Sequence, residues 1–175
     1  AQPGSFGLTL AERIKLSYRI VFFNKSRKDH FVGMDLTQSF PRSPKIKMSG
    51  LVMVPRMIDK VRAYNAKTLG EYIFPCPLDK IILEFLNIDH EEVIHLAQKL
   101  TDEEIVLWIN ERCLNRSEKD KEQINQKILE RKPNTQESLN RFNKLRNAVN
   151  PTRTDITTWV ELLELDENRI PHKIP

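Results

Sequence analysis

Cys76 stands between two prolines in the run Phe74-Pro75-Cys76-Pro77-Leu78-Asp79. A thiol becomes a nucleophile where its surroundings favour the thiolate. A place just before a helix supplies positive helix-end potential, which works in that direction. The only other cysteine is Cys113, far off in the chain, so no resolving partner is at hand. Cys76 is therefore the candidate catalytic residue, with a small apolar residue held in a stiff turn as the plainer reading. Arg56, Asp59, Arg62, Tyr64, Glu71, Tyr72 and Asp79 lie close to it in sequence. If the segments before and after the Pro-Cys-Pro loop fold back on each other, several of these could line one apolar pocket. An arginine or two would then orient a carboxylate or phosphate. The rival reading has Arg56, Asp59 and Arg62 forming surface ion pairs of little energetic weight, with the tyrosines covering the core.

No metal site is expected. His90 and His95 are five apart, whereas a pair of histidines holding a metal on one helix face stands four apart. Glu91 and His95 do share a face, but two ligands fall short of the three usual for catalytic zinc. No cofactor is expected either: there is no Gly-rich phosphate loop and no Gly-x-Ser-x-Gly elbow. The basic residues of the C-terminal half, from Arg112 to Arg146, are interleaved with acids. That mixture reads as a solvated face and makes a nucleic-acid partner unlikely.

These residues are positioned by a helix, a rigid loop and a second helix. Pro55 suits a first helical turn, where its missing N–H costs least. Val54, Ile58, Val61, Asn65 and Leu69 recur at helical spacing, Met53, Met57 and Tyr64 widen that face, and Gly70 is the expected stop. The two prolines hold Cys76 extended. A helix resumes after Pro77 with Leu78, Ile81, Ile82, Phe85 and Leu86 buried. Upstream, residues 35–49 read as an extended arm whose Arg42, Lys45 and Lys47 make a positive rim, with anion binding as its sharper reading. Downstream, helix starts are expected at Asp89 (with Glu92), Thr101 (with Glu104), Ser117, Thr135 and Asp155. Cys113 falls midway along one of these helices, and Leu139, Phe142, Leu145 and Val149 make the buried stripe of another.

Five pieces in one order carry a resemblance: Asp35-Leu36-Thr37, Ser39-Phe40-Pro41-Arg42-Ser43-Pro44, the run GLVMVPRMIDK from Gly50 to Lys60, Gly70-Glu71-Tyr72, and Phe74 to Asp79. Together they resemble an uncharacterised bacterial domain family of short proteins of unknown function. The likeness covers roughly Met34 to Leu114. It implies no activity, cofactor or site residue.

The chain has 175 residues, net charge +4 and 30% charged residues, which bounds it to one ordinary globular domain with room for a core. Only five glycines and few Val/Ile/Thr runs tilt the reading to helix. The expected fold is all-α, a compact bundle-like domain of six or seven short helices with the rigid Pro-Cys-Pro loop. Residues 34–175 form its single helical domain, and residues 1–33 are an N-terminal extension, either not native or a basic targeting segment. No apolar run is long enough for a membrane span, and two distant cysteines suit a reducing cytoplasm. The leading expectation for function is a small helical module that binds a partner protein or a small anionic ligand. The alternative is a small-molecule enzyme using Cys76 or the Tyr/Arg/Asp group around it.

Overall fold

The run from Val54 to Val61 is buried at every position, so the helix it belongs to has no solvent face over its first two turns. This helix, α1 (Val54–Ala66), is the axis of the domain. Six more follow among the residues described: α2 (Pro77–Leu86), α3 (His90–Ala97), α4 (Asp102–Arg112), α5 (Glu118–Leu129), α6 (Gln136–Val149) and α7 (Trp159–Asp166). The fold is all-α. The computed structural model describes residues 34–172; the extension 1–33 lies outside them. Among the described residues no helix is long and apolar enough to cross a membrane.

α1 packs on α2 and α3, α5 packs on α2 and α7, and α6 packs on α7. The main core gathers Met57, Ile58 and Val61 of α1, Ile82 and Leu86 of α2, Val93, Ile105, Ile109, Ile128 and Val160. All five apolar residues expected inside α2 are buried. A smaller core holds Phe142, Ile156, Leu162 and Leu165, where the Phe142 ring meets Trp159 edge-on at 5.0 Å, a favoured geometry for two aromatics.

The start signals translate into caps. Thr101, Ser117, Thr135 and Thr158 each accept an N–H from the first turn, with Glu104, Asp120, Ser138 and Glu161 closing reciprocal boxes. Asp89 caps α3 through Glu91 N, not in a box with Glu92. Asp155 caps nothing: its carboxylate holds Arg153, and the last helix begins at Trp159 behind Thr158. Cys113 is the buried C-cap of α4 and not a mid-helix residue. Leu139 and Leu145, expected inside, are 40% and 44% exposed, because only the Phe142 edge of α6 reaches the small core.

α1 stops at Ala66, three residues before the expected end. Lys67 takes the left-handed cap at φ 61°. Gly70 serves a different need. Its φ is +64°, and a Cβ there would sit 2.8 Å from the carbonyl oxygen of Leu36. The glycine therefore lets the segment after α1 close on the arm, where Leu36 N also donates to Thr68 O at 2.9 Å.

Candidate functional site

The arm 34–53 and the C-terminal residues 164–169 lie along the polar flank of α1, and this cover is why a charged helix can be buried. Arg56 is 1% exposed, Asp59 2% and Lys60 2%. A buried charge is tolerated only when paired and hydrogen-bonded, and each of these has its partner in a different covering segment. The expected surface pairing of Arg56, Asp59 and Arg62 with one another does not occur.

Arg56 donates to both carboxylate oxygens of Glu167, just past the end of α7, and to the carbonyl of Arg42 at 3.2 Å. The Tyr72 hydroxyl donates to the same Glu167 at 3.0 Å, and its ring lies against the Arg56 guanidinium, 5.4 Å from centroid to Cζ. Burial, reinforced by the Glu167 carboxylate, pushes the Tyr72 phenol well above its ordinary value. Arg169 also reaches Glu167, and donates to Pro41 O in the arm.

Asp59 is clamped by Arg42, which donates from its backbone N at 2.8 Å, from Nε at 2.9 Å and from Nη2 at 2.7 Å. Arg42 and Arg62 both donate to Asp102 at the start of α4, at 2.5 and 2.6 Å. Burial would raise the Asp102 carboxyl, but these two guanidinium bonds outweigh it and hold the group below its ordinary value. The positive rim expected on the arm is thus spent internally: Lys45 pairs with Glu164 and Lys47 with Glu122.

The third group surrounds Cys76. Lys60 Nζ donates to Asp79 Oδ2 at 2.6 Å, to the Cys76 sulfur at 3.4 Å and to Ile73 O at 3.3 Å. Asp79 Oδ2 also accepts the Cys76 backbone N–H at 2.8 Å, which caps α2. Cys76 is extended, φ −83° and ψ 169°, as the flanking prolines require. Cys76 as a residue is partly buried. Burial first, and the Asp79 carboxylate next, push the thiol up, outweighing the opposing pull of Lys60. The positive helix end alone would have favoured thiolate.

The candidate residues therefore do not line one open pocket. Arg56 and Tyr72 meet at Glu167, Asp59 and Arg62 are joined through Arg42 and Asp102, and Asp79 meets Cys76 through Lys60. Tyr64 belongs to none of these groups. It is 49% exposed and borders a shallow depression with Asn65, Lys67, Leu69 and Gly70. Among the described residues no cluster of three or more His, Cys, Asp or Glu could hold a metal.

Lys60, Asp102, Glu164 and Glu167 were not legible as site residues, and Arg42 was expected only as part of the positive rim of the arm. One signal was present for Lys60: it stands one turn after Arg56 on the same strip of α1, so both follow the same route into the interior. Glu167 has no such signal, because the contact it makes spans 111 residues.

No curated protein matches this chain. A family model does, one described as a domain of unknown function (DUF5069); it matches residues 38–169, nearly the same span that the Pro41–Arg169 contact closes, and the chain belongs to that family.

Proposed function

We propose that the chain is a non-catalytic helical module that docks a polypeptide partner on the loop between α1 and α2. The observation that carries this reading is Ile73. Its side chain is 61% exposed, while its own carbonyl accepts a bond from the buried Lys60. An apolar side chain presented on a pinned backbone loses little conformational freedom when a partner covers it. Tyr64 lies one turn beyond Lys60 on α1 and adds a half-exposed aromatic, a residue type favoured at interface centres.

The small-anion branch has weaker support. Arg56 and Arg62 are engaged by Glu167 and Asp102, so an anion would have to displace a carboxylate already in place. The catalytic branch has to contend with a Cys76 thiol pushed away from the reactive thiolate. The setting we propose is a reducing cytoplasm, which suits two free cysteines. The mixed charges of the C-terminal half favour a polypeptide over a nucleic acid.

The test is a photo-crosslinking amino acid placed at position 73 in the cell of origin, with the same group at exposed Leu139 as control. The reading expects one discrete adduct from position 73, lost on Tyr64→Glu, and none from 139. Identical patterns at both positions, or no adduct at 73, would sink it.

A further inference from the structure

Lys60 and Cys76 make an unusual pair. Lys60 is 2% exposed and its Nζ lies 3.4 Å from the sulfur, while Cys76 as a residue keeps part of its surface open to solvent. Asp79 completes the group. Its Oδ2 holds the Lys60 ammonium at 2.6 Å. Its Oδ1, although fully buried, has no hydrogen-bond partner among the described residues. A buried carboxylate oxygen that receives no hydrogen bond is costly to keep, and it sits on the same carboxylate that holds the Lys60 ammonium.

We propose that Cys76 and Lys60 form a reversible covalent link, a sulfenamide between Sγ and Nζ, when the protein meets a hydroperoxide. In the first step the Cys76 sulfur takes one oxygen from the peroxide. The O–O bond breaks, an S–O bond forms, and the remaining peroxide oxygen leaves as water (as alcohol from an alkyl hydroperoxide), carrying the thiol proton. Sulfur is oxidised by two electrons and the peroxide is reduced by two. In the second step the Lys60 ammonium gives a proton to Asp79, and the freed Nζ lone pair attacks sulfur. The S–O bond breaks, and the departing hydroxide takes a second proton from Nζ to leave as water. The sum is a loss of two hydrogens from the protein.

Sulfenic acids have three common fates: a disulfide with a second thiol, a ring with a backbone nitrogen, or further oxidation. The ring normally closes on the nitrogen of the next residue, and here that residue is Pro77, which has no N–H. Cys113 is buried against the main core at the end of α4. Lys60 is the nitrogen already in contact. The link would tie the middle of α1 to the cap of α2, and a small thiol attacking sulfur would release it. Because burial and Asp79 keep the thiol protonated, the rate of linking should rise as pH is raised above neutrality.

The experiment treats the full chain with hydrogen peroxide, quenches, digests with trypsin and maps peptides. A linked Lys60 is not cleaved, so the expected product is peptide 57–62 joined to peptide 68–80, lighter than the sum by two hydrogens. It should form equally in Cys113→Ala and disappear with dithiothreitol. Lys60→Arg, which keeps the charge opposite Asp79, should give no such product and should instead accumulate sulfinic acid at Cys76. Sulfinic acid at Cys76 in the wild type with no joined peptide would overturn the proposal. So would a joined peptide that contains Cys113 in place of Lys60, or an unmodified Cys76. The wild-type map decides the matter even if Lys60→Arg folds poorly.

Discussion

Arg56 and Glu167 meet as a two-pronged ion pair with side chains 2% and 1% exposed, 111 residues apart in the chain. Neither is tolerable without the other. Breaking a buried pair from one side typically costs about 3–5 kcal/mol, because a bare charge is left in low dielectric. Glu167→Ala should therefore be among the most damaging single changes in the domain. Arg56→Met with Glu167→Leu should recover part of the loss, since matched apolar replacements leave nothing unpaired. Chemical denaturation of the three proteins checks this; a double variant no better than the single would show that the wider network around Tyr72 and Arg169 matters more than the pair.

Asp102 should set part of the acid limit. Its carboxyl is held below the ordinary value by Arg42 and Arg62 against the cost of burial. A depressed folded value means stability that is present above the ordinary carboxylate range, near pH 4, and lost as pH falls through the folded value. Asp102→Asn should be less stable than wild type at pH 7, and the gap should narrow as pH drops below about 4. Melting temperatures at pH 7, 4 and 3 would show it, and a constant gap would count against this account.

At the alkaline end the sign reverses. The Tyr72 phenol is raised by burial and by Glu167. Its contribution is fully present below the ordinary tyrosine value of about 10 and is lost as pH climbs beyond it. Tyr72→Phe should lose less stability than wild type between pH 9 and pH 11, a comparison that cancels the titration of the lysines common to both.

Two glycines with positive φ should respond unequally to alanine. At Gly70 the new Cβ meets a backbone carbonyl at 2.8 Å, in a left-handed residue. The conformation alone costs about 1 kcal/mol and the clash adds to it. At Gly50 the nearest atom is the flexible Lys121 side chain at 3.3 Å, which can move. Gly70→Ala should thus lower the melting temperature clearly more than Gly50→Ala, and equal losses would mean that the Leu36 carbonyl yields easily.

Asn125 is the one polar residue on the buried edge of α5, 1% exposed. Its Oδ1 accepts from Val52 N at 2.9 Å, and its Nδ2 donates to Gly50 O at 2.8 Å. Asn125→Ala strands the buried Val52 N–H, for a cost of about 1–3 kcal/mol by the usual penalty, and leaves the part-buried Gly50 carbonyl to solvent. Hydrogen exchange at Val52 N should speed up more than at Ile82 N in the middle of α2.

How legible this was depended on range. Caps such as Thr101–Glu104 and Ser117 depend on contacts within one turn, and their residue types announce them. The buried face of α2 follows from spacing alone. What could not be read was the reason Arg56, Asp59 and Lys60 lie inside. Helical periodicity assigns charged positions to solvent unless something covers them, and the covers here are Arg42, 17 residues before Asp59, and Glu167, near the far end. Tyr64 failed in the opposite direction: apolar spacing placed it inside, but it lies 49% exposed while Val61 and Ala63 take the buried side of that turn of α1. The candidate site was found as a neighbourhood around Cys76, with Lys60, the cation in contact with its sulfur, left out.

The clasp between arm and C-terminal end has a consequence for how the molecule is made. Ser43 waits for Glu164 across 121 residues, and Pro41 for Arg169 across 128. A chain emerging from the ribosome has synthesised α1 and its buried arginine long before the carboxylate that neutralises it. The domain cannot close around α1 until nearly its last residues are out of the exit tunnel, so a nascent chain arrested before Glu167 should remain open to proteases however many helices it already holds.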